Sequence, residues 1–179
     1  QTAGVEWCRR EDSRAVVQQR LADAQQTRQP VTLLWVDIDR FRQINDTFGH
    51  ACGDLIIDSL ASRVLAVAPV GSRLLRMGSD EFVLMVSAFT MAQAEQLARN
   101  VGSEMGKPLT VQGVNIHPTV SIGLHTSHDG ESADQLLEQA DRAMIDAKRL
   151  GGNRFAWSCN ERGLVEHGLA QSRRELSIA

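Results

Sequence analysis

The run Val31-Thr32-Leu33-Leu34-Trp35-Val36 is apolar or β-branched throughout, and Asp37-Ile38-Asp39 follows it at once. A strand with water on one face alternates polar and apolar residues, and this one does not. It reads as a strand covered on both faces, so the chain must supply a layer on each side of its sheet. A chain of 179 residues can do that around one core without disulfides or structural metals. The two aspartates then stand where the strand leaves the core.

The flanking segments supply the layers. Residues 12–28 read as a helix capped by Asp12, with Val16, Val17, Arg20, Leu21 and Ala24 on one face and Pro30 closing it. Residues 40–48 and 51–68 read as two further helices. The second carries Leu55, Ile56, Leu60, Val64 and Val67 as one stripe. Strands at 73–77 and 82–87 flank the turn Gly78-Ser79-Asp80-Glu81, a hairpin signal. Thr90 and Gln93 can form a capping box for a helix over 90–103. Short strands around Gln112-Gly113 make a second hairpin, and 119–125 alternates with Val120, Ile122 and Leu124 on one side. Ser132 and Gln135 can cap a helix that runs to Leu150 and stops at Gly151-Gly152, before a last strand at 154–157. The order implies an α+β sandwich on one central, mainly antiparallel sheet, with a ferredoxin-like βααββαβ kernel.

Composition narrows the partners. Nineteen Lys and Arg against 22 Asp and Glu leave a net charge of −3, which is no footprint for a nucleic acid polymer. Aromatics at 4%, with no Tyr, are too few for a base-stacking platform, while 42% hydrophobic residues exclude a disordered chain. No apolar run approaches the roughly 18 residues of a membrane span. Residues 1–5 lack the basic start and apolar stretch of a signal peptide. Cys8, Cys52 and Cys159 are far apart, and His117, His125, His128 and His167 make no metal pattern with them. Reduced thiols in a cytoplasmic protein, or in the cytoplasmic part of a larger one, are expected. A start at Gln1 suggests a piece of a longer chain. The polar, helix-compatible residues 158–179 read as a linker helix towards a further domain.

Acids at 37, 39, 80 and 81 converge if their two strands are neighbours. Close carboxylates repel one another, and a bound cation relieves the repulsion. Carboxylates with water and phosphate oxygens suit Mg²⁺, the layout of metal-assisted phosphoryl and nucleotidyl transfer. From spacing alone, turn and strand-end acids facing water are the favoured reading.

The sequence around these acids carries more. Asp37-Ile38-Asp39-Arg40-Phe41-Arg42-Gln43-Ile44-Asn45-Asp46-Thr47-Phe48-Gly49-His50, followed by Gly53-Asp54, resembles the first motif of the GGDEF domain family. Arg76-Met77-Gly78-Ser79-Asp80-Glu81-Phe82 resembles its signature turn. Ala140-Asp141-Arg142-Ala143-Met144-Ile145-Asp146-Ala147-Lys148, with Gly151-Gly152-Asn153-Arg154, resembles its closing helix and strand. Three motifs in order identify residues 31–157 as a GGDEF core, with 1–30 as a divergent opening segment. The resemblance implies a fold similar to nucleotide cyclases and the polymerase palm. It also implies a diguanylate cyclase that condenses two GTP into cyclic di-GMP with Mg²⁺, as a homodimer.

Position by position, the resemblance implies Asp37, Asp80 and the Ile38 carbonyl as metal ligands. Asp80, with Glu81 beside it, stands at the position proposed as general base. Asn45 and Asp54 match positions that read guanine, whose N–H donors suit an amide and a carboxylate. His50 falls in the same binding segment, where a helix-end side chain is the plainer role. Arg42 replaces a usual phosphate-side lysine and keeps the cation. Gly78 and Ser79 form the turn against the substrate. Lys148 matches another phosphate-facing cation, although a lysine near a helix C-terminus also suits the macrodipole.

Departures accompany the match. Ser79 replaces the second glycine of the signature, where a Cβ could crowd a ligand and positive φ is often needed. Gly152 stands in place of an arginine, Ile145 in place of a tyrosine, and residues 6–14 lack the family's opening segment. Pro69-Val70-Gly71-Ser72 replaces the Arg-x-x-Asp product-inhibition site. These departures imply a second reading, a GGDEF domain that binds GTP or a partner and regulates a neighbouring sensory or EAL phosphodiesterase domain.

Overall fold

A computed structural model describes residues 10–159 and 166–168. In chain order the elements are α1 (Arg10–Thr27), β1 (Val31–Ile38), α2 (Phe41–Phe48), α3 (His50–Val67), β2 (Arg73–Arg76) and β3 (Glu81–Ser87). They continue through α4 (Met91–Met105), β4 (Leu109–Val111), β5 (Val114–Ile116), β6 (Val120–Thr126), α5 (Ala133–Arg149), β7 (Arg154–Trp157) and β8 (Glu166–Gly168). Six strands form one sheet in the order β2-β3-β1-β6-β7-β8, and β4-β5 is a separate hairpin. Neighbours in the large sheet run antiparallel except β6 and β7. This is the α+β sandwich that the pattern implies.

All eight residues of β1 are buried, as a strand without alternation requires. Leu34, Val36 and Ile38 face Ile56, Leu60 and Val64 of α3 and Leu97, Ala98 and Val101 of α4. Leu33 and Trp35 face the other layer, with Val17 and Leu21 of α1 and Leu136, Ala140 and Met144 of α5. Each fully buried side chain of this kind contributes about 1.5–3 kcal/mol of transfer free energy. The alternation places Asp37 on the α1/α5 face.

Both capping boxes form, Thr90 with Gln93 and Ser132 with Gln135. Several details differ from the pattern. Asp12 lies inside the first turn of α1 and is not its cap, because the helix begins at least two residues earlier. Leu55 is 42% exposed, since α3 turns Ile56 and Leu60 to the core and leaves Leu55 on its outer edge. Ile145 is also exposed. Glu166–Gly168 form a strand on β7 where the pattern suggests helix. The rest of the expected linker helix, 160–165 and 169–179, lies outside the described residues. Among the described residues no helix is long and apolar enough to cross a membrane.

Periodicity also misses a buried polar knot. His125 donates Nε2–H to Glu131 Oε1 at 2.7 Å, and its Nδ1 shares a 2.6 Å hydrogen bond with Ser158 Oγ. All three residues are buried. The knot ties the end of β6 to the segment before α5 and to the chain leaving β7.

Helix α5 lies directly on β6 because Gly123 has no side chain. A Cβ there would stand 2.1 Å from the Ala140 carbonyl oxygen and 2.3 Å from Met144 N, both backbone atoms. Gly123→Ala is therefore expected to lower unfolding free energy by about 3 kcal/mol, the upper part of the usual overpacking range. Urea unfolding followed by circular dichroism checks this.

Candidate active site at the end of the first strand

The site begins with strand register. Asp37 pairs with Glu81 across β1–β3 and with Ser121 across β1–β6. Ile38 N–H donates to the Asp80 carbonyl at 3.2 Å, and Met77 N–H to the Glu81 carbonyl at 2.9 Å. These bonds hold the Gly78–Glu81 turn beside the end of β1. Arg76, quoted with the signature motif but given no role from sequence, reaches over the turn. Its Nε donates to the Gly78 carbonyl (3.0 Å) and its Nη2 to the Ser79 carbonyl (3.2 Å). Ser79 is exposed and its φ lies outside the left-handed region, so the backbone does not need glycine there. Its hydroxyl donates to Asp80 Oδ1 at 3.3 Å.

Asp37 is 6% exposed. Lys148 comes in from the last turn of α5 with Nζ 2.5 Å from Asp37 Oδ1. That oxygen accepts no well-angled hydrogen bond. Burial pushes the Asp37 carboxyl up to about 7. The Lys148 contact and charge pull it down, and the negative charges of Asp80 and Glu81 push it further up. The structure thus gathers Asp37, Asp80, Glu81 and Lys148.

Asp39 does not join them, contrary to the four-acid arrangement. Thr119 and Ser121 hydroxyls donate to its two oxygens at 2.7 Å each, and Asn153 N–H donates at 2.9 Å. Asp39 anchors the start of β6 and the turn after α5 instead. Gly152 sits in that turn at φ +70°, and a Cβ there would stand 2.9 Å from an Asp39 carboxylate oxygen. An arginine at 152 would have to displace this anchor.

The proposed guanine readers occupy the opposite layer. The Asn45 side chain rests on Gly53, where a Cβ would fall 1.9 Å from Asn45 Oδ1. Oδ1 is buried and accepts no hydrogen bond. Asp54 and His50 are exposed on α3, Asp54 next to Gly53. A ligand touching both Asn45 and Asp37 has to lie across the end of β1. Arg42 stands apart from the acids, its side chain 95% exposed and 4.0 Å from Asp46. A cleft of about 580 Å³ opens on another side of α2, between Gln43, Thr47 and Phe48 and the segment Asn115 to Thr119. Of the candidate residues it contains none, and its one carboxylate, Asp39, already accepts three hydrogen bonds. The acid cluster around buried Asp37 is the better chemical candidate.

Among the described residues no three His, Cys, Asp or Glu side chains gather closely enough to hold a metal alone. The acids present still fit a hard cation that takes only part of its shell from protein. Asp37 is buried, its close partner at Oδ1 is itself a cation, and it lies within the field of two further acids. Mg²⁺ takes one or two carboxylates and completes its octahedron with water and phosphate oxygens.

The fold is a mainly antiparallel α+β sandwich with an acidic hairpin turn beside a buried strand end. The chain matches the family model described as diguanylate cyclase, GGDEF domain, over residues 10–154, and it belongs to that family. It is 33% identical over 138 residues to diguanylate cyclase A of Treponema denticola, covering 74% of this chain and 36% of that one. It is 31% identical over 156 residues to MucR of Pseudomonas aeruginosa, a bifunctional diguanylate cyclase/cyclic di-GMP phosphodiesterase, covering 82% and 23%. The solved GGDEF domain of TpbB from Pseudomonas aeruginosa superposes with a TM-score of 0.81 at 27% identity, covering 87% of this chain and 98% of that one. The chain spans little more than a third of the first of these curated relatives, and less of the second.

Asp37 gives a pH signature. The folded carboxyl keeps its proton to about 7, whereas the unfolded one loses it near 3.8. Over that window the folded state holds more protons, so its stability falls as pH rises from about 4 to about 7. Asp37→Asn is expected to flatten this part of the profile. Thermal melts in chelator at pH 4.5, 6 and 8 measure it.

Proposed function

We propose that this domain condenses two GTP into cyclic di-GMP with magnesium, each protomer of a homodimer holding one GTP. The observation that carries the reading is the register that sets buried Asp37 beside Asp80 and Glu81 at the signature turn. The match to the diguanylate cyclase family supports it. In each half-reaction the 3′-hydroxyl of one GTP attacks the α-phosphate of the other. A P–O bond forms, pyrophosphate leaves, and the hydroxyl proton departs to a base.

In this reading Asp37, Asp80 and the Ile38 carbonyl hold the magnesium. When bound, the ion neutralises charge on the attacking oxygen and the triphosphate. Asp80 also accepts the hydroxyl proton, with Glu81 adding negative charge beside it. Lys148 and Arg42 offer cations to the phosphates; Arg42 is free to swing because its side chain is 95% exposed. Asn45 Oδ1, buried without a donor, accepts from a guanine N–H, and Asp54 accepts a second. Gly78 and Ser79 present the turn to the nucleotide, and His50 sits at its rim. In this reading the domain works in the cytoplasm, by itself or as the cytoplasmic part of a larger protein.

Purified chain with GTP and Mg²⁺ is expected to yield cyclic di-GMP on chromatography. Asp80→Asn should cut the rate by about a hundredfold or more, as loss of a general base does. It should leave the thermal melt in place. Asn45→Ala should weaken GTP binding about tenfold through loss of one hydrogen bond in the guanine contact. Dimeric chain that makes no product overturns the cyclase reading.

Ser79 favours a second reading, a domain that binds GTP and regulates a neighbour such as an EAL phosphodiesterase. Its hydroxyl is bonded to Asp80 Oδ1, an oxygen the chemistry needs. GTP binding by calorimetry without turnover supports this reading. Ser79→Gly removes that bond and is expected to raise the rate; an equal or lower rate clears the serine as an obstacle.

A further inference from the structure

We propose that Lys148 is an internal substitute for the divalent cation at Asp37, and that metal binds only as Lys148 lets go. The inference rests on the reading of Asp37 as a metal ligand. Asp37 Oδ1 is enclosed by protein, and the one group brought to it is Lys148 Nζ at 2.5 Å. Two cations cannot both contact one buried carboxylate oxygen without strong mutual repulsion. The ammonium and the metal therefore compete for the same atom.

The geometry equips Lys148 to exchange. Its side chain is 36% exposed, so the long stem reaches from α5 into the site with one side open to water. Neighbouring Arg149 is turned away, 3.8 Å from Asp146. Lys148 leaves more readily when another anion receives it, because a new charge-assisted pair offsets the loss of the carboxylate contact. A nucleotide triphosphate lying across the end of β1 offers such a partner. Nucleotide and metal then assist one another's binding, a coupling of the kind usually worth about 5- to 150-fold. Without nucleotide the site holds its own cation, which keeps the acid cluster folded and leaves free metal weakly bound.

The test is Mn²⁺ binding to the purified chain without nucleotide, read by electron paramagnetic resonance of the free ion. Lys148→Met is expected to bind Mn²⁺ about tenfold more tightly than the parent, within the usual range of such couplings. Lys148→Arg keeps a cation and should stay weak. Asp37→Asn should abolish the site in both backgrounds. Circular dichroism confirms that each variant is folded. In the parent, Mn²⁺ should raise the melting temperature less than it does in Lys148→Met. Equal affinity in parent and Lys148→Met, lost with Asp37→Asn, overturns the substitution while the metal reading stands. Weaker binding in Lys148→Met also overturns it and makes the lysine a support of the site. Absence of Mn²⁺ binding in every variant removes the metal reading and this inference with it.

Discussion

The double pairing of β1, with β3 on one side and β6 on the other, governs everything else in this domain. It aligns Asp37 with Glu81 and with Ser121 in one row across three strands. A slip of one residue would turn Asp37 to the α3/α4 layer and bring a core side chain to the site, because side chains alternate faces along a strand. The apolar residues of β1 forbid that slip, since both faces are packed against helices. The same residues that build the core thus set the position of the acids.

Asp37 and Asp39 are two residues apart and meet opposite fates. Asp39 lies past the end of β1, where two hydroxyls and a backbone N–H satisfy its carboxylate. Asp37 lies inside the strand and has one ammonium. A carboxylate with three donors is settled and structural; one held by a single ammonium among other acids favours a cation. The close seat of α5 on Gly123 belongs to the same design, because α5 carries Lys148 to its contact.

Much of this was legible in the sequence. The type and order of elements from α1 to β7 followed from periodicity, and both capping boxes from single residues at fixed spacing, all local in the chain. The acidic hairpin was legible because turn chemistry at 78–81 falls between two strand-length apolar segments. The motifs around it carried the family. Less legible were Arg76 over the turn, the His125 knot and the direction of Leu55. A guanidinium, an imidazole or an edge leucine looks the same in sequence whether it faces water or a partner.

By itself the sequence determined an α+β domain with helices on both faces of a buried central strand, an acidic turn and GGDEF family membership. Those properties rest on local spacing, hydrophobic pattern and motif order. The tertiary structure alone decided that Asp39 is an anchor, that Ser79 has an ordinary backbone and bonds to Asp80, and that Lys148 sits on Asp37. These outcomes depend on contacts between segments far apart in the chain, such as Asp39 with Asn153, 114 residues on. Only packing of the helices on the sheet brings such groups within hydrogen-bond reach, and no local pattern records which of them will meet.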